Sequence, residues 1–109
     1  MKEIYISNLN RLDLASRLAR EMIILLEKYN PETSYAQSLY SMANTHKQLL
    51  NLEINCLEKA WQSYKSQLVK DGFNSSVILM LEKDFKSKRD NADEIYRKID
   101  SILSYTFKF

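Results

Sequence analysis

Among 109 residues there is one glycine and one proline. A β-rich fold of this size needs many turns, and turns draw on those two residues. Their scarcity therefore excludes a sheet architecture. Pro31 and Gly72 fall at the two places where helical periodicity stops, which predicts three helices and two tight connections. The single glycine also excludes a glycine-rich loop that could cradle a phosphate, and no Gly-x-Ser-x-Gly, Cys-x-x-Cys or His-Glu-x-x-His motif occurs. One cysteine, Cys56, excludes an internal disulfide, so nothing requires an oxidising compartment. Long hydrophobic runs are missing. The longest, Met22 to Leu26 and Val77 to Leu81, are far too short to span a bilayer. The first residues lack the apolar core of a signal peptide. The expectation is a cytoplasmic protein, or one exported without a conventional signal.

Neither sign of charge dominates. Sixteen basic residues face fourteen acidic ones, for a net charge of +2. That balance gives no footprint for nucleic acid or an anionic membrane. The densest basic segment, Lys83 to Asp90, is interrupted by two acids, so a nucleic-acid-associated regulator using this part of the third helix is the alternative reading. Apolar residues make up 45% of the chain and charged ones 28%, which is the composition of a folded domain rather than a disordered segment.

What the chain has in abundance is helical spacing. From about Tyr35 to Lys70, apolar or aromatic residues and one histidine recur every three or four positions: Ala36, Leu39, Ala43, His46, Leu50, Ile54, Leu57, Trp61, Tyr64 and Leu68. That is one face of a helix about 54 Å long at ~1.5 Å per residue. In the first helix Tyr5, Leu9, Leu12, Ser16, Ala19, Ile23 and Leu26 alternate four and three, a heptad seam. Ala15, Leu18, Met22, Leu25 and Tyr29 widen that stripe on one side, as suits a bundle core. In the third helix Ile78, Leu81, Phe85, Lys88, Ala92, Ile95, Ile99, Ile102 and Thr106 follow the same rule. Glu82–Lys86, Asp84–Lys88 and Glu94–Lys98 have the i,i+4 spacing of surface ion pairs.

The predicted fold is therefore all-α and a single domain over residues 1–109. It is an up-down-up antiparallel three-helix bundle, or a long helical hairpin with a shorter first helix, with coiled-coil-like packing. The helices are expected at about 5–29, 32–70 and 75–105. Ile4, Tyr5 and Ile6 are poor helix formers and are expected to fray, with Ser7, Asn8 or Asn10 as the cap. Asn30 or Ser34 is expected to cap the second helix and Asn74 or Ser75 the third, with Gly72 ending the second.

The first helix is too short to cover the hairpin made by the other two. If it folds back from the turn near Pro31, residue 5 lies near residue 59. The hairpin tip, from about Tyr64 to Leu81, then projects beyond it. That tip is apolar, and five consecutive apolar residues point all round a helix, so two helices cannot bury them. The expected partner-binding residues are Trp61, Tyr64, Leu68, Phe73, Val77, Leu79 and Met80. A homodimer or a helical partner chain is the expected occupant.

No catalytic, cofactor-binding or metal-ligating set is assembled. His46 and Cys56 are ten residues apart, about 15 Å along the axis and about 80° around it, which excludes a thiol–imidazole dyad on a continuous helix. The Glu-x-x-His pair of di-metal bundles is absent, since Ala43 precedes His46 by three. The reading is a small non-enzymatic protein-binding module, of secretion-chaperone, immunity or inhibitor type. In size and helical habit the chain resembles small bacterial secretion partners: type III chaperones, WXG-type secreted hairpins and bacteriocin immunity proteins. The resemblance is one of architecture. The Trp-x-Gly of the WXG hairpins lies at their turn, whereas Trp61-Gln62-Ser63 is mid-helix and the turn here holds Gly72. It implies a bacterial or phage binding protein.

Overall fold

A computed structural model describes residues 1–28 and 36–106, with the side chain of Thr106 left aside. The described residues form three helices and no strand: α1 (Lys2–Glu27), α2 (Ala36–Lys70) and α3 (Ser75–Thr106). They pack as an all-α rod of 60 × 19 × 18 Å. The expected caps at Asn30 and Ser34, and Tyr29, lie outside the described residues.

The three stripes meet in one core. Leu12, Ala19, Ile23 and Leu26 of α1 are buried against Ala43, Leu50, Ile54 and Leu57 of α2 and Phe85, Ala92, Ile99 and Leu103 of α3. Lys88 is the exception on the third stripe, since it is exposed. At one end of the core the rings converge on Trp61, whose exposure is 0%. Tyr5 of α1 lies 5.4 Å from it, Tyr64 of α2 6.0 Å at an 82° edge-on angle, and Phe85 of α3 is stacked on it at 5.5 Å and 16°. Arg89 completes the stack, its guanidinium 5.3 Å from the centre of the Phe85 ring. Such ring pairs add about 0.5–1.5 kcal/mol each beyond the area they bury.

This cluster corrects the start of α1. The helix begins at Lys2, not near residue 5, and Ile4, Tyr5 and Ile6 are helical. Their weak propensity, tenths of a kcal/mol per residue, is outweighed by docking Tyr5 on Trp61 and Tyr64. Asn8 does not cap. It is buried, and its side-chain amide donates to the Ile4 carbonyl at 2.8 Å.

The α2–α3 turn follows the chemistry of its residues. Gly72 adopts φ +77°, the left-handed region. The Phe73 N–H donates to the Leu68 carbonyl and the Gly72 N–H to the Val69 carbonyl, both at 3.1 Å, a Schellman closure of α2. Asn74 caps α3, its Oδ1 accepting from the Ser76 N–H at 2.8 Å. The ion pairs fall differently from the i,i+4 expectation. Glu82 pairs with Lys65 of α2 at 3.1 Å and Lys98 with Glu27 of α1 at 3.2 Å, while Asp93–Arg97 makes an i,i+4 contact on α3. Lys47–Asp100 is a second bridge between α2 and α3, at 3.0 Å.

Trp61→Ala is expected to cost about 3–5 kcal/mol, because it removes the ring on which all three helices close. Gly72→Ala is expected to cost about 1 kcal/mol through backbone strain alone, since no atom lies within 4 Å of the added methyl group. Urea titrations followed by far-ultraviolet circular dichroism would measure both.

Candidate functional site

The seven residues expected at the tip separate into two groups. Trp61 and Leu68 are buried and Tyr64 is half-buried against Tyr5. These three are turned inward in the single chain. Phe73, Val77, Leu79 and Met80 are exposed, Leu79 at 54% and Met80 at 64%, and Val69 is exposed beside them. Because Tyr5 reaches Tyr64, the overhang begins beyond Tyr64 rather than at it. The exposed residues also do not share one face. At ~100° per residue, Val77 and Met80 lie on one side of α3 and Leu79 on the other. The exposed apolar residues of the tip are therefore spread around it, among exposed Gln67, Lys70, Asp71, Ser75 and Ser76.

A second apolar surface lies on the outer side of α1 and α2, away from α3. On α1, Ile4, Arg11, Leu18 and Leu25 recur every seven residues, with Leu14 alongside. On α2, Met42, Leu49 and Cys56 recur every seven. Leu14 is 51% exposed and Leu49 46%; Ile4, Leu25 and Met42 are exposed as well. Between the two helices Arg11, Leu14, Ala15, Leu18, His46, Leu49 and Glu53 line a shallow groove. Sequence reading missed this surface, although its signal was the extra width of the α1 stripe. Stripe width alone places Leu18 and Leu25 in a bundle core, but the third helix packs elsewhere.

The groove holds an unusual polar group. Glu53 Oε2 is buried with no hydrogen-bond partner. Arg11 lines the same groove, but its guanidinium donates to Ser7 Oγ at 3.3 Å. Two further buried polar atoms are orphaned at the aromatic cluster, the Tyr5 hydroxyl and Trp61 Nε1. The indole N–H lies on the Glu82 side but outside hydrogen-bonding geometry. The Glu82 carboxyl is held below the usual range first by the hydrogen bond from Lys65, with the indole the smallest contribution.

Among the described residues no group of three His, Cys, Asp or Glu side chains could hold a metal ion. His46 lies in the groove and Cys56 is half-buried on the same outer side of α2. In the basic segment Arg89 is committed to Phe85 and Asp90, Lys88 lines a depression with Asn91 against α1, and the charge of Lys86 acts on Glu82. No described helix is long and apolar enough to cross a membrane. Compared with known proteins, the chain matches no family model, no curated protein and no solved structure.

The orphaned Tyr5 hydroxyl yields a pH prediction. Burial pushes its phenol up to about 12, with the nearby charges of Asp84 and Tyr64 adding to the rise. The folded state keeps this phenol neutral where the unfolded chain ionises it. Its contribution is therefore complete below pH ~10 and is lost as the pH rises towards 12. Tyr5→Phe is expected to leave stability at pH 7 within about 1 kcal/mol, or to raise it, because the hydroxyl makes no hydrogen bond. The variant is also expected to lose less stability than the wild type between pH 10 and 12, measured by urea titration at pH 7 and 11.

Proposed function

We propose that this chain is a small, non-enzymatic protein-binding module that works by packing helix against helix, with itself and with a helical partner. The observation that carries the reading is the amount of large apolar surface left in water. A single chain exposes Val69, Phe73, Val77, Leu79 and Met80 at the tip, and Ile4, Leu14, Leu25, Met42 and Leu49 along the outer α1–α2 side. Large apolar side chains left in water in such numbers point to surfaces where another chain docks. Helices are the natural occupants, because heptad-spaced ridges accept the ridges of another helix.

The chemistry of the exposed residues supports partners of moderate polarity. Leucine, methionine and phenylalanine adapt to an incoming apolar stripe, and the flanking Lys, Arg and Glu side chains can form a polar rim. A secretion chaperone, an immunity protein or a phage-encoded inhibitor would each use such a surface to cover an amphipathic helix.

Light scattering over a concentration series, combined with an exposed-hydrophobe dye, tests the reading. The expected result is dye binding at low concentration that falls as the mass rises above 12.9 kDa. A chain that stays at the monomer mass at high micromolar concentration and binds no dye would refute it.

A further inference from the structure

We infer that the outer α1–α2 face, and not the hairpin tip, is where a second copy of this chain docks, forming a four-helix seam. The inference rests on the helix-packing reading above and assigns its self-association to one surface.

The periodicity is the first observation. A helix in a three-helix bundle needs one apolar stripe, and α1 has two. Its inner stripe is buried against α2 and α3, while Arg11, Leu18 and Leu25 continue a heptad on the outside. Met42 and Leu49 do the same on α2. Two outward heptads side by side on antiparallel helices are half of a four-helix bundle seam. A second copy supplies the other half.

Symmetry and charge make that half fit. A twofold axis parallel to the rod sets α1 of one copy against α2 of the other, again antiparallel, with heights along the axis unchanged. Arg11 and Glu53 line the same groove and so sit at one height. The axis therefore brings Arg11 of each copy across from Glu53 of the other. Glu53, half-buried at the edge of the groove, faces that guanidinium. Leu14 and Leu18 meet Leu49 by the same operation, and Leu25 meets Met42.

The size is sufficient. From Ile4 to Leu25 the α1 stripe is ~32 Å long at ~1.5 Å per residue. With a rod 18–19 Å wide, the footprint is on the order of 600 Å² per copy. The pair buries at most roughly 1,200 Å², the lower edge of the range for specific interfaces.

The test uses the full chain with two charge reversals, Arg11→Glu and Glu53→Arg. Each alone places like charges across the seam and is expected to weaken dimerisation at least tenfold in sedimentation equilibrium. Mixed in equal amounts, the two variants pair opposite charges at both contacts, and the dimer mass is expected to return. A bridge within one chain gives no such recovery. A mixture that stays monomeric while each variant is helical would overturn the seam. Leu14→Asp and Leu49→Asp, both at exposed positions, guard against misfolding of the charge variants. Folded monomers with Leu79→Asp still dimeric support the proposal, and dimers broken only by Leu79→Asp overturn it in favour of the tip. A wild-type monomer that binds dye would also overturn the seam, yet leave the helix-binding reading standing.

Discussion

The bundle depends on closing three helices around one indole. Trp61 is the point at which α1, α2 and α3 all present a ring, and it is fully removed from water. Elsewhere the helices are held by aliphatic ridges, which are interchangeable and tolerate sliding. A flat ring stacked on Phe85 and flanked by Tyr5 and Tyr64 admits few alternative registers. The position of α1 along the hairpin follows from it, and with that position the length of hairpin left uncovered.

Polar groups at this point are accommodated only in part. The Tyr5 hydroxyl and the indole N–H are buried without hydrogen bonds, which is a cost that the packing of the rings offsets. The ion pairs Lys65–Glu82 and Lys47–Asp100 join α2 to α3 on either side of the cluster, and Lys98–Glu27 joins α3 to the far end of α1. The arrangement explains why the least helix-prone segment of α1 is ordered. Ile4, Tyr5 and Ile6 gain more from the cluster than they lose in propensity.

Most of the fold was legible because period and punctuation agreed. The heptad stripes of α1 and α2 became the core, and the Gly72 and Asn74 chemistry appears in the turn as expected. The start of α1 was not legible, since the partner of Tyr5 is fifty-six residues away and local propensity knows nothing of it. The candidate surfaces were legible only by halves. Exposure of Phe73, Val77, Leu79 and Met80 follows from the length mismatch. The inward turn of Trp61 and Leu68 was not predictable from position on the stripe, because the same stripe residue is core if a ring covers it and interface if none does. The outer α1–α2 face was hidden for a related reason: a wide apolar stripe is equally consistent with a larger core and with a second seam.

The place of the single tryptophan has a practical side. A lone indole on an isolated helix would report only its own surroundings. Here the emitting ring touches one aromatic side chain from each of the other two helices, Tyr5 and Phe85. Its emission wavelength and quenching thus follow whether the whole bundle is closed. Detachment of α1 alone would expose one side of the ring while leaving the Phe85 stack intact, a partial opening that helix content by itself would barely register.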